Sequence, residues 1–292
     1  MIGYELKKLA RRPVFLLVLL CVLGFKAAYT LSELSDIRPE AGYVALVREY
    51  SAYPLDEAER RIQIDAADAK ESYFRDYESE YNEGKLTIEE FRAFQREYSA
   101  RAARYSATRS VLAQVERLTS LENGDSGAAG LGIRVIDETG WLLAGKLSAI
   151  WLCPLILVFV AVAILCEWHD DEMYDLLRTT SNGIRRSMRV KMSLCMGIML
   201  IVSLIDASST YLIPRLLYGL DCPDAAVQSV SLYAKLTDCL TLKAYALRRI
   251  FAGIAADMAV GLAWVGVALA AKKSYRTTGI LLALALLVML VR

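Results

Sequence analysis

Apolar residues in this chain come in long blocks, and charged residues fill the intervals between them. A helix needs about 20 apolar residues to cross roughly 30 Å of hydrocarbon. Val14–Leu31 is the first such block, with Lys26 close enough to its end to snorkel to the interface. Leu147–Cys166 is the second, interrupted only by Pro154, which a membrane helix tolerates. Met192–Ile213 carries Asp206, and Phe251–Ala271 carries Asp257. The last block, Gly279–Val291, has 13 uninterrupted apolar residues and reaches spanning length only when counted over Tyr275–Arg292. The pattern predicts an all-α, polytopic membrane helix bundle of five to six spans.

Between the first two blocks the periodicity changes. From Pro54–Leu55–Asp56 an apolar face recurs at Ile62, Ala66, Ala69, Tyr73, Tyr77 and Tyr81, gaps of three and four that mark a helix. Asn82–Glu83–Gly84 breaks it. Thr87, with Glu90 three residues on, then predicts a capping box opening a second helix. That helix carries a stripe of Phe91, Phe94, Tyr98, Ala102, Tyr105, Leu112 and Val115 and fades in the loop-forming run after Glu122. Two matched stripes around a short break predict an antiparallel helical hairpin, the tyrosine-rich stripe reading as a coiled-coil seam rather than a ligand surface.

Composition sharpens this picture. The chain of 292 residues is 55% hydrophobic, with mean hydropathy +0.34, yet 23% charged, values that coexist only when the two classes are segregated. The net charge of +1 gives no general basic field for nucleic acid. Lys7, Lys8, Arg11 and Arg12 precede the first block and place the N-terminus in the cytoplasm by the positive-inside rule. The same sidedness puts Arg178–Lys191 and Lys272–Arg276 inside and the hairpin outside. Arg248 and Arg249 then fall at the outer end of the fourth span, so either they sit in protein or the stretch before them dips into the membrane. The first block reads as a retained anchor, because its apolar run outlasts a signal peptide and Ala27–Ala28 is a poor cleavage site. The expected division is 1–31 for an interfacial elbow and the first span, 32–146 for an extracytoplasmic helical domain, and 147–292 for the membrane bundle.

Candidate chemistry is sparse. Of the six cysteines none forms a CxxC pair, which gives little support to zinc or redox centres, and Cys222 and Cys239 share one loop where an oxidising compartment would let them pair. Gly140 to Lys146 has the glycine and lysine spacing of a phosphate loop, but Leu147 stands where Ser or Thr would hold magnesium, so no ATP site is expected in this chain. His169 is the single histidine, on a charged loop without a second ligand of its kind. No paired catalytic groups point to an enzyme, and neither a metal nor a cofactor is expected. Asp206 and Asp257 are carboxylates inside spans, which are costly and face protein or water. They read either as polar points on a translocation pathway or as helix–helix contacts, for example Asp257 reaching towards Arg248 or Arg249.

The most distinctive segment joins the second and third spans, residues 167–191. Glu167 and Glu172 belong to its acidic opening, Leu176 and Leu177 form an apolar knob, Thr179, Thr180 and Gly183 belong to a turn, and Arg185 and Arg186 lead to Lys191 at the membrane. Acid first and base at the re-entry suit the helix dipole and the positive-inside rule. A short amphipathic helix there can lie on the bilayer or dock in another protein's groove.

This run, Leu–Leu–x–Thr–Thr–x–x–Gly–x–x–Arg after a glutamate, resembles the permeases of bacterial ATP-binding-cassette exporters of the type-2 superfamily. Met1–Arg12 is similar to their N-terminal elbow helix, and Tyr218–Gly219, Val227–Ser229 and Leu240–Thr241 are similar to the outer segment of some members. The resemblance implies a complex of two permeases, as homodimer or heterodimer, with ATPase subunits in the cytoplasmic membrane. ATP and magnesium would sit on the partner. Glu172–Arg186 would contain the coupling helix docking on that ATPase, with Leu176 and Leu177 filling its groove. A rival reading is a non-transporting membrane sensor or scaffold presenting the hairpin.

Overall fold

The computed structural model describes residues 20, 24–33, 42–74, 81–123, 132–150, 153–166, 183–236, 240–270, 279–280 and 284–285. The regular structure of these residues is helical, and among them the only sheet-like pairing is an isolated antiparallel bridge between Ala226 and Thr241. In chain order the helices are α1 (24–33), α2 (Tyr43–Tyr50), α3 (Leu55–Phe74), α4 (Ile88–Asn123), α5 (Thr139–Ala149), α6 (Cys153–Ala161), α7 (Gly183–Leu217) and α8 (Leu242–Ala270). A π-helical turn, Val162–Cys166, continues α6.

Two of these, over Arg186–Leu217 and Leu242–Ala270, are long and apolar enough to cross a membrane. They contain the third predicted block and, as far as Ala270, the fourth, and the chain is accordingly a helical protein with two candidate membrane-spanning helices among the described residues. The second predicted block is not one straight helix. α5 and α6 meet at a break with a bend of 43°, and they make a third candidate only when taken together as one span. Pro154 explains the break: it lacks an N–H, and its ring excludes the carbonyl four residues earlier, at Ile150, where the helix has just ended. Half of the first block and most of the fifth fall outside the described residues.

The chain divides into two compact units, the first comprising Met1–Glu33, Ala144–Ile213 and Ala246–Arg292, the second Leu34–Leu143 and Pro214–Tyr245. In the first unit, Leu157, Val158 and Ala161 from α6, Cys195, Met199 and Val202 from α7, and Trp264, Val265 and Ala268 from α8 form one buried cluster. Gly261 sits at the crossing, where a Cβ would lie 2.8 Å from the Met199 sulfur and would force that thioether to move. The Trp264 indole donates to the Pro154 carbonyl at 3.3 Å, so the polar end of a buried aromatic finds a partner beside the helix break. Away from this cluster Leu200, Ile201, Leu204, Phe251 and Leu262 are exposed, as lipid-facing or partner-facing positions would be.

In the second unit α3 packs on α4. Ala58 and Ile62 are fully buried with Val111, Val115 and Leu118, joined by Val47 and Tyr50 from α2. Among the described side chains of α4, Ala107, Val111, Val115 and Leu118 are buried apolar positions; Val115 belongs to the predicted stripe, whereas Tyr98 of that stripe is 45% exposed. Small and β-branched residues let the helix axes approach; a ring at the same place would hold them apart. The capping box forms as expected, the Thr87 amide donating to Glu90 at 2.8 Å and the Glu90 amide to the Thr87 hydroxyl at 3.3 Å. Residues 214–245 belong to this unit although the expected boundary stopped at 146. One reason is close packing at Gly140, where a Cβ would stand 2.1 Å from the Gly219 carbonyl. The glycine that opened the false phosphate loop is thus a contact point between two chain segments.

Candidate membrane-embedded polar site

The site begins with a helical spacing. Ser209 and Thr210 stand three and four residues after Asp206 on α7, so all three side chains share a face. Lys26 of α1 meets that face. Its ammonium donates to Asp206 Oδ1 at 2.8 Å, to Ser209 Oγ at 2.9 Å and to the Asp206 carbonyl at 3.0 Å, with Thr210 Oγ1 at 3.4 Å. An ammonium has three protons to place, and this cage takes them all. Lys26 is 3% exposed, which overturns the expectation that it snorkels outward. An acceptor inside the protein replaces water, so the charge has no need to reach the interface.

Asp257 of α8 is 2% exposed. Its carboxylate, an Asp206 carboxylate oxygen and the Cys153 sulfur all lie within 4.8 Å of one another. Cys153 also lies 3.8 Å from the hydroxyl of the fully buried Ser203. These three groups are the set that could meet a cation, and the Lys26 ammonium already supplies one positive charge to Asp206. Beside them a recess of about 620 Å³, counting the part that opens outward, is lined by Ser148, Asp206, Thr210, Tyr211, Arg249 and Asp257 together with small apolar residues. Arg249 is exposed and donates to the Ser148 hydroxyl at 3.4 Å. At the end of α1, Glu33 pairs with Lys146 of α5.

A second polar centre lies in the other unit. Arg117 on α4 donates to Glu138 Oε1 at 2.5 Å and to the carbonyls of Gln228 and Ser229, both at 2.9 Å. Glu138 also accepts from the Gln114 amide at 2.9 Å and the Ser231 backbone N–H at 2.8 Å. Gln228 and Ser229 form part of a 3-10 turn that follows Ala226, and Val227 N donates to the Leu240 carbonyl at 3.0 Å. The outer-segment residues Val227–Ser229 and Leu240–Thr241 are thereby brought side by side. Burial first, then the Glu138 and Asp137 carboxylates, push the Tyr43 hydroxyl above its usual range. This constellation lies in a loop-rich region and holds chain segments together.

The other expected site residues fall differently. Glu167, Glu172, Leu176, Leu177, Thr179 and Thr180 lie outside the described residues, as does His169. Gly183 opens α7, Arg185 belongs to its first turn, and Arg186 is exposed. Asp206 has Lys26 as its ion partner, and Asp257 stands beside Cys153 and Asp206. Cys222 is a free thiol, and Cys239 lies outside the described residues. Sequence reasoning missed the Lys26 cage and the Arg117 centre. The first had a legible signal, a lysine in one apolar block and Asp–x–x–Ser–Thr in another; the second had none, because two of Arg117's three acceptors are backbone carbonyls. No known protein family, curated protein or solved structure matches the chain.

Proposed function

We propose that the chain is a permease subunit of an ATP-binding-cassette exporter, forming part of a translocation path and coupled to a separate ATPase. The observation that carries this reading is the continuity of α7, which runs unbroken for 35 residues from Gly183 to Leu217. At 1.5 Å per residue it is about 52 Å long, well beyond the roughly 30 Å hydrocarbon core. Its first turns hold Arg185, Arg186, Arg189 and Lys191, and the same helix carries Asp206 into the apolar region. A partner gripping residues 172–186 would move a rigid rod whose far part holds the Lys26 cage and one wall of the recess. The chemistry of ATP and magnesium would belong to that partner, and a second permease would complete the path.

Topology follows from the same charges. The basic start of α7 lies in the cytoplasm of a multi-pass inner-membrane protein, with the N-terminus on that side and five or six spans in all. The second unit then lies outside. There α3 and α4 form an antiparallel hairpin, a reading supported by Ala58 and Ile62 near the start of α3 sharing a core with Val111 to Leu118 near the end of α4, while Tyr81 stacks on Phe91 across the turn at 4.7 Å.

Purification of the native complex is the test. An ATPase is expected to co-purify with the wild-type chain and to be lost when Leu176→Asp and Leu177→Asp are combined. Undiminished association would sink the docking assignment, and absence of any ATPase from the wild-type complex would favour a sensor or scaffold.

A further inference from the structure

One face of α8 carries a charged group above an apolar track. Arg249, Gly253, Ala256, Val260, Ala263 and Val267 follow one another at spacings of four and three, so they lie on the same side of the helix. None of the six is buried: Arg249, Ala256 and Ala263 are exposed, and the other three are half-buried. The first three line the recess. At Gly253 a Cβ would meet nothing within 4 Å, so there is room directly beneath the arginine. Below Arg249 the face is therefore a shallow groove, because its side chains stand lower than Phe251, Leu262 and Leu269, which are exposed elsewhere on the same helix.

Arg249 stands two residues before Phe251, where the apolar block begins, and so lies at the depth of lipid headgroups. Among the described residues its one hydrogen-bond partner is the Ser148 hydroxyl at 3.4 Å, although a guanidinium carries five N–H donors. Ser148 gives its own proton to the Gly145 carbonyl at 2.7 Å, so it steadies the arginine and leaves an anion to the remaining N–H groups. The recess carboxylates take no part here. Asp257 is eight residues further along α8, about 12 Å down the axis, and Asp206 is held by Lys26.

We infer that this face of α8 binds one anionic phospholipid, its phosphate on Arg249 and one acyl chain along Gly253, Ala256, Val260 and Ala263. The lengths agree. A chain reaching the bilayer midplane covers about 15 Å, half the hydrocarbon core, and residues 253–263 span about 15 Å of helix. Charge complementarity selects lipid over a partner helix. A helix would have to bring a carboxylate to this depth, whereas a bilayer carries phosphates there on every side. The planar guanidinium matches two phosphate oxygens, and an anionic headgroup keeps the net charge that a choline would cancel. The lipid also gives a counter-charge to an arginine that stands against the sidedness of the other basic residues. The site stands on α8 and does not depend on the exporter reading.

Native mass spectrometry of the full chain in detergent, given equal amounts of palmitoyl-oleoyl phosphatidylglycerol and phosphatidylcholine, tests the assignment. One phosphatidylglycerol is expected to be retained about fivefold over phosphatidylcholine, the preference that one basic residue confers at a bilayer surface. Arg249→Gln should abolish this preference, and Arg249→Lys should keep most of it. Ala256→Leu raises the floor of the groove without touching the charge and should weaken phosphatidylglycerol retention about fivefold. Both positions are exposed, so the variants should fold, which monodisperse elution and unchanged helical circular dichroism verify. Equal retention of the two lipids overturns the inference, as does a preference that survives Arg249→Gln or retention that ignores Ala256→Leu. Displacement of the lipid by millimolar inorganic phosphate would also overturn it, by showing a site for free anions. A lipid-free dimer that Ala256→Leu splits would assign the face to a second copy of the chain instead.

Discussion

The two units hold their buried ion pairs by different means. In the first, Lys26 places a compact ammonium on acceptors drawn from a single helix face: the Asp206 carboxylate and carbonyl and the hydroxyls of Ser209 and Thr210. In the second, Arg117 spreads a planar guanidinium over Glu138 and two loop carbonyls that lie 111 and 112 residues further along the chain. An ammonium can be satisfied by a cage, and a guanidinium suits acceptors fanned out in a plane. A regular α-helix spends most of its carbonyls on its own backbone, so here one shared carbonyl is supplemented by a carboxylate and two hydroxyls to receive the charge. An irregular segment such as 225–236 has carbonyls to spare, and a single arginine collects them. The first pair thus joins two helices, and the other pair binds a loop into the fold.

Breaking the first pair is expected to have the largest effect. Lys26→Met leaves the Asp206 carboxylate, 15% exposed, without its ion partner, and should lower stability by about 3–5 kcal/mol, read from thermal unfolding in detergent. Replacing both residues, Lys26→Met with Asp206→Leu, should recover most of that loss, since two apolar groups need no cage. A double variant no more stable than either single one would show that the hydroxyls of Ser209 and Thr210, rather than the charge pair, organise this place.

The Arg117 centre should respond more mildly and more locally. Arg117→Ala strands Glu138, 8% exposed, but the Gln114 amide and the Ser231 N–H remain on it. A loss of about 2–3 kcal/mol is expected. Because the loop carbonyls are released, amide exchange should accelerate at 227–233, and α7 should keep its protection. Uniform acceleration over the whole chain would contradict the idea that this arginine binds one loop.

These contrasts mark what could be read from residue order. The helical class, the two long apolar helices with Asp206 and Asp257, and the capping box at Thr87 were legible because each is written in local spacing. Pro154 was visible too, but its effect depended on whether the helix ran through it, and here the helix stops first. The aromatic stripe on α4 misled at Tyr98, since periodicity identifies a face without saying which small residues let a partner helix approach. Gly140 and Lys146 looked like chemistry and are contacts, with Gly219 and Glu33. Arg117 was one arginine among many in a charged insertion, and the carbonyls it holds have no side chain to announce them.

The smallest expected effect lies at the solvent-exposed end of the same insertion, where no ion pair is buried. Glu90 accepts bonds from the Thr87 backbone and hydroxyl, which hold its carboxyl below the ordinary range. A carboxyl whose folded-state value is depressed stabilises the fold fully above its unfolded value, about 4.3. That contribution is lost as pH falls through the lower folded value. Thr87→Ala should cost about 1 kcal/mol at neutral pH by leaving the first turn of α4 uncapped. Glu90→Gln should lower the melting temperature at pH 6 and make less difference at pH 3, where the wild-type carboxylate is itself being protonated. An equal difference at the two pH values would mean that the glutamine amide oxygen replaces the carboxylate as acceptor, and that charge adds nothing to this cap. The same substitution should leave the Lys26 cage untouched, because its residues belong to the other unit.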